Sequence, residues 1–271
     1  MRQFRLIYDT AATGKRNMAV DETILAAVIE GLSLPTLRFY AWEPACLSLG
    51  YGQSWHDADL YRLEANGWQI VRRITGGRAI LHTDELTYSL ALPAGHSLAE
   101  GSILESYQRI SQAFMRGLQQ LGLNLKADRM EKRVRAIGPV CFEVPSHYEI
   151  TTQDGRKLMG SAQYRRKGAV LQHGSLPLCG DLARICDALQ FDDEDQRGRA
   201  MNKVRRRAAA VEDAMGHEHI AWHDAADALV WGFQETFGIE FMQDQLSEVE
   251  LNLAEELERD VYGSDAWTRR R

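Results

Sequence analysis

A chain of 271 residues, 45% hydrophobic and 26% charged, has an ordinary globular composition, long enough for one large core or a core with a small appendage, and not that of a disordered or fibrous protein. Its net charge of −6 excludes a general nucleic-acid binder, whose affinity would need an excess of Lys and Arg facing phosphates. No segment approaches the roughly 20 consecutive apolar residues of a membrane span, and the N-terminal MRQFRLIYDTAATGKRN has no apolar stretch of signal-peptide length, so a cytoplasmic location with neither membrane nor nucleic-acid partner is expected.

Strand and helix signals then alternate along the chain. FRLIYD (4–9) reads as a strand, and Asn17 is placed to cap the apolar-periodic helix MAVDETILAAVIEG, which Gly31 ends. TLRFYAW (36–42) and CLSLGYG (46–52) follow as strands on either side of Pro44, and DADLYRLEANG (57–67) as a short helix with a glycine stop. WQIVRRIT (68–75) leads into GGRAILH (76–82), ELTYSLAL (85–92) alternates as a half-buried strand should, and a long helix fits 103–121.

The stretch 126–139 reads as irregular and basic. Two turn-linked strand pairs follow, marked by Asp154-Gly155 and Lys167-Gly168, which makes HYEITTQ, RKLMGSAQYR and AVLQHGSLPL neighbours in one antiparallel unit. DDEDQ (192–196) reads as an exposed acidic loop and RRRAAA (205–210) as a surface helix or a frayed end, while 222–238 and 247–263 are the clearest late helices. The pattern predicts an α/β (mixed α+β) fold, a mixed sheet with surrounding helices. No linker divides it, so 1–271 is expected to form a single domain, with 190–271 as a helical portion packed on it.

The four cysteines, Cys46, Cys141, Cys179 and Cys186, form no C-x-x-C pair, which points to reduced thiols and not to a zinc ribbon or a disulfide framework. HEHIAWH (217–223) offers three histidines without a carboxylate or cysteine at ligand spacing, so no metal is expected. In RRITGGRAILH (72–82) two adjacent glycines after a strand allow close backbone approach and aim N–H groups outward. The spacing is that of neither a dinucleotide fingerprint nor a P-loop and is compatible with a plain glycine hairpin. Arg72, Arg73, Arg78 and His82 around it are more polar than a hairpin requires.

Cys141 stands between Pro139 and Pro145, where regular structure is disfavoured. Most free cysteines are inert and buried. One that attacks must be a thiolate, which a nearby cation favours. Lys157, past the hairpin turn, is in reach to fold back and supply that charge, and His147 and His173 are the other candidate neighbours. Phe39, Tyr40, Trp42 and Tyr51 are candidate walls of an apolar tunnel, although aromatic residues in strands are core by default.

Taken together, NMAVDE (17–22), LRFYAWEPACLSLGYGQ (37–53), RRITGGRAILH, LTYSLAL, VCFEVPSHYEI, GRKLMGSAQYRRKGAVLQHGSLPL and YGSDAW resemble the biotin/lipoate protein ligase and transferase (BPL/LPL) superfamily over nearly the whole chain. What the resemblance implies is its mixed α/β catalytic-domain fold and a cysteine acyltransferase of lipoate assembly. Octanoyl would pass from octanoyl-acyl carrier protein to Cys141, and then to the lysine of an apo lipoyl-domain protein, typically the glycine cleavage H protein, with no cofactor. By the same resemblance Lys157 would lower the thiol pKa, and Arg72, Gly76, Gly77, Arg78, His82, Gly160, Ser161 and Ala162 would bind substrate.

ATP-dependent lipoate ligases share the superfamily and the lysine, but they usually carry a third glycine where this chain has Arg78 and need no such cysteine. A lipoyl amidotransferase is chemically closer. Thr83 departs from the transferase pattern, which commonly has an acidic residue after the histidine. Both partner proteins are acidic, so RMEKRVR (129–135) and YRRK (164–167) are the expected landing sites.

Overall fold

The computed structural model describes residues 2–129 and 148–271. In chain order the strands are β1 (Gln3–Tyr8), β2 (Thr36–Tyr40), β3 (Cys46–Leu49), β4 (Gln69–Arg72), β5 (Ile80–His82), β6 (Glu85–Leu92), β7 (Leu125–Arg129), β8 (Tyr148–Thr152), β9 (Lys157–Arg166), β10 (Ala169–Pro177) and β11 (Glu240–Gln243). The helices are α1 (Gly14–Ile29), α2 (Leu60–Ala65), α3 (Ile103–Gln120), α4 (Glu194–Arg207), α5 (Val211–Ala214), α6 (Trp222–Phe237), α7 (Glu248–Leu257) and α8 (Asp265–Thr268).

Eight strands form a mixed sheet in the order β11-β1-β2-β6-β10-β9-β8-β7, and β4-β3-β5 form a smaller one. In the large sheet β1 runs parallel to both β11 and β2. From β2 onward its pairs are antiparallel. The expected mixed sheet with surrounding helices is therefore present.

Side chains alternate across the large sheet and fill two cores. On one face Tyr88 and Leu90 meet Phe114 of α3 and Phe233 of α6; on the other Ile7, Tyr40 and Leu171 meet Met18, Ile24 and Leu25 of α1. Removing each such Leu, Ile or Phe from water stabilises the fold by about 1.5–3 kcal/mol. Helix starts follow local chemistry: the Thr13 side chain accepts from Arg16 N to open α1, and Ser102 with Glu105 forms a capping box for α3. Residues beyond 190 enter both cores, and β11 adds to the sheet edge. Arg5 of β1 donates to Glu250 of α7 at 2.8 and 2.5 Å in a buried ion pair.

Five local expectations change. Asn17 does not cap the first helix but lies inside α1, behind the Thr13 cap, where its side chain donates to the Ala12 and Ala41 carbonyls. Strand β6 is buried along its whole length and not on one face alone. Leu125–Arg129, at the head of the supposedly irregular basic stretch, is a strand paired with β8. The acidic run 192–196 is a helix start, because the Asp193 side chain accepts from Gln196 N and α4 continues to Arg207. The late helix breaks after Leu257 into one turn of π-helix, Glu258–Tyr262.

Candidate functional site

A small cavity of about 40 Å³ opens between the two sheets. Its apolar walls are Met18 of α1, Tyr40 of β2, Ile80 of β5 and Trp42, which follows β2. The floor is the paired backbone of β9 and β10, where Gly160, Ser161 and Ala162 face Ser175, Gly174 and His173. Gly174 is required there, since a Cβ on it would come within 2.5 Å of both the Gly160 carbonyl and Ser161 Oγ. Ser161 in turn accepts from the Tyr88 hydroxyl at 2.7 Å.

Over this floor stand two buried histidines, each held by a carboxylate. His82 Nδ1 donates to Glu85 Oε1 at 2.7 Å, its Nε2 lies 2.8 Å from Ser48 Oγ, and its ring stacks on Trp42 with centroids 3.9 Å apart and an angle of 7°. Glu85 also accepts from Ser175 Oγ at 2.5 Å and from Thr87 Oγ1, whose own oxygen accepts from Trp42 Nε1 at 2.7 Å. Burial pushes the Glu85 carboxyl up, but the charge and hydrogen bond of His82 and the two hydroxyls outweigh it and hold the group below its usual range.

His173 is held in the second arrangement. Its Nδ1 lies 3.1 Å from Asp21 Oδ2 and its Nε2 2.6 Å from Thr75 Oγ1. Burial pulls the imidazole pKa down against the opposing pull of Asp21, so the ring is neutral near pH 7. A carboxylate only accepts, so Nδ1 carries the proton and the Thr75 hydroxyl donates to Nε2. Asp21 is desolvated as well. Bonds from His173 and the charge of Arg38, which donates to Asp21 Oδ1 at 2.8 Å, nevertheless keep its pKa low.

Thr75 immediately precedes the glycine turn, so this chain of bonds anchors the turn to the centre of the large sheet. Arg73 holds the other side, donating to the Gly76 carbonyl at 3.0 Å, the Arg78 carbonyl at 2.7 Å and Ser48 Oγ at 3.0 Å. Gly77 has a φ of +97°, a conformation glycine adopts without strain. The outcome is a turn fixed by side chains on both flanks, with Gly76 and Gly77 themselves exposed.

Of the residues singled out from sequence, Gly77, His82, Gly160, Ser161 and Ala162 line the cavity. Gly76 and Arg78 belong to the same turn but contribute carbonyls to Arg73. Arg72 is displaced from the expected position. Its guanidinium points away to the carbonyls of Gly50, Gln53 and Thr268, and Arg73 is the arginine that reaches the cavity, because neighbouring strand residues face opposite ways.

Lys157 opens β9, three residues before Gly160. It is only 4% exposed, and its carbonyl accepts from Ala209 N. Cys141, His147 and the basic run 130–135 lie outside the described residues. In the second basic run Arg165 donates to the Gly101 and Ser102 carbonyls, Arg166 pairs with Glu22 and Lys167 with Glu30, so much of its charge is already answered. Thr83 accepts from Arg184, which also pairs with Asp84. The carboxylate serving His82 comes from Glu85 instead.

Of the four aromatic residues considered, Tyr40 and Trp42 wall the cavity, whereas Phe39 sits in the opposite core and Tyr51 on the surface against Arg270. Sequence reasoning gave no role to Glu85, Asp21, Thr75 or Ser48. The signal for Glu85 was its place three residues after His82; Asp21 lies 152 positions from His173 and gave none.

Residues 13–234 match the lipoyl protein ligase A/B catalytic domain family. The chain is 38% identical to the octanoyltransferase LipM of Brevibacillus brevis, with 100% of both chains covered, and 37% identical to that of Carboxydothermus hydrogenoformans, with 98% of each covered. Among solved structures, a bipartite lipoate protein ligase from Thermoplasma acidophilum, studied with its E2 lipoyl domain, matches with a TM-score of 0.83 at 27% identity over 99% of this chain and 97% of that one. A lipoate-protein ligase A bound with ATP matches with a TM-score of 0.80 at 26% identity over 98% of each chain. The BPL/LPL catalytic-domain fold is thus the one found, and the chain belongs to the lipoyl protein ligase A/B catalytic domain family.

Proposed function

We propose that this protein moves an octanoyl group from octanoyl-acyl carrier protein to the lysine of a lipoyl-domain protein, such as the glycine cleavage H protein, through a thioester on Cys141. That it is an acyltransferase of protein lipoylation follows from its family and its octanoyltransferase relatives. The observation that carries the fuller reading is the cavity itself. Its apolar walls suit an alkyl chain, its fixed polar ring suits a carbonyl, and the strand that begins with Lys157 forms its floor.

In this mechanism the Cys141 thiolate attacks the carrier thioester carbonyl, and the carrier leaves as its free thiol. The acceptor ε-amine then attacks the enzyme thioester, forms the amide and returns the cysteine thiol. The last step is downhill, so no nucleotide drives it, and the covalent intermediate lets one site serve two large partners in turn. Lys157 favours the thiolate by its charge. Backbone N–H groups of the glycine turn are the oxyanion donors. Two of the other thiols are poor candidates by charge, since burial raises the pKa of both Cys46 and Cys179, and Asp84 and Glu212 push Cys179 further up; the third, Cys186, is fully buried.

The lipoate ligase bound with ATP has the same fold, so nucleotide dependence is the discriminating readout. Octanoyl-acyl carrier protein and apo H protein, mixed with the enzyme and no nucleotide, are expected to yield octanoylated H protein. Modification only when free octanoate and ATP are supplied would replace the proposal with a ligase.

A further inference from the structure

The cavity is small, about 40 Å³, and the length of acyl chain it admits depends on which of its walls can move. The walls differ sharply in how firmly they are held, because a side chain bonded at its tip moves only by breaking that bond in a buried site.

Tyr40 donates to Asp21 at 2.8 Å and has the Arg38 guanidinium 3.9 Å from its ring centroid. Trp42 is bonded to Thr87 and stacked on His82. His82 and His173 are each bonded at both ring nitrogens. Ile80, a β-branched residue within β5, is stiff at χ1 and carried by a paired strand. Met18 alone among these walls is an unbranched apolar side chain with no bond at its tip and three rotatable bonds, of the type that adapts to irregular space. It is 3% exposed and projects from α1 into the cavity lining.

We infer that Met18 is the wall that swings aside when the acyl chain enters, and that the space its side chain can release sets the length of chain accepted. The inference rests on the acyl group occupying this cavity, as in the proposed function. Truncating Met18 would enlarge the slot permanently, and a rigid ring in its place would shorten it. Since each methylene placed in or kept out of apolar surroundings is worth about fourfold in binding, a shift of two carbons in the optimum would be plain.

The test uses the full chain as wild type, Met18→Leu, Met18→Ala and Met18→Phe. Two readouts are taken: thermal stabilisation by free hexanoate, octanoate, decanoate and dodecanoate, and the rate of acyl transfer from carrier proteins charged with the same chains. The expected result is an optimum at octanoyl for wild type and Met18→Leu, moved to decanoyl or longer in Met18→Ala and to hexanoyl in Met18→Phe, by about tenfold in the ratio of neighbouring chain lengths. An unchanged length profile in Met18→Ala and Met18→Phe, or no stabilisation of any variant by any chain, overturns the inference. A fatty-acid profile that moves as expected while no carrier protein donates its acyl group would support the inference and remove the transfer reading instead.

Discussion

The hydroxyl of Thr75 and Nε2 of His173 lie 2.6 Å apart although 98 positions separate them in the chain. Through this one bond the residue before the glycine turn is fastened to the middle of the large sheet, and Asp21 behind His173 fixes which ring nitrogen carries the proton.

Acidification should loosen that fastening first. The folded state holds the His173 pKa below its ordinary 6.5, so just under that pH the unfolded chain binds a proton that the folded chain refuses. Stability therefore falls as pH drops below 6.5. Glu85 and Asp21, both held low, contribute in the same direction further down, as pH falls past their ordinary values of 4.5 and 3.8. Denaturant melts from pH 7.5 to 4.5 should show this slope, with the portion nearest pH 6 flattened in His173→Gln. A wild-type curve flat from 7 to 5 would contradict the neutral assignment of the ring.

Removing Glu85 should cost stability. Three buried donors, His82 Nδ1, Thr87 Oγ1 and Ser175 Oγ, converge on this carboxylate, and each buried group left unsatisfied costs about 1–3 kcal/mol. Glu85→Ala should lose roughly 3 kcal/mol or more, and its Tm should drop by roughly 6–12 °C. Glu85→Gln keeps the acceptor oxygen and should recover part of the loss. Calorimetry on the pair decides it: equal Tm values would mean the carboxylate is not the hub of the cluster.

Arg72 is predicted to act as a clasp for the C-terminal segment. Its Nε donates to the Thr268 carbonyl at 2.9 Å, and Trp267 Nε1 returns a bond to the Arg72 carbonyl at 2.8 Å. Arg72→Ala and removal of residues 264–271 should each destabilise the protein by about 2–4 kcal/mol. Since they break the same joint, the combination should fall short of the sum by about 1 kcal/mol. Full additivity in urea melts would show that the two are independent.

Much of this architecture was legible in the sequence because it rests on local rules. The strands 85–92 and 169–177, the hairpins at Asp154-Gly155 and Lys167-Gly168, and helix 103–120 announce themselves through alternation, turn residues and caps. Strand β7 did not, because Lys126, Asp128 and Arg129 lack strand-forming side chains and their pairing with β8 comes from tertiary structure. The start of α4 was hidden because Asp193 caps from within a run of acids that reads as plain charge. At the site, His82 and the glycine turn stood out, but what holds them did not. Glu85, Asp21, Ser48 and Thr75 acquire meaning only when two sheets bring together residues with no fixed sequence spacing. For Arg72 and Arg73 the composition was readable, while strand alternation decided which of the two reaches the cavity.

The central claim is a thioester on Cys141. Intact-protein mass spectrometry of wild type and Cys141→Ser after mixing with octanoyl-acyl carrier protein, without ATP, tests it most directly. The account predicts one octanoyl adduct on wild type, none on the variant, and its discharge by apo H protein. An adduct on both proteins, or none on wild type while H protein is still modified from octanoate and ATP, would contradict it.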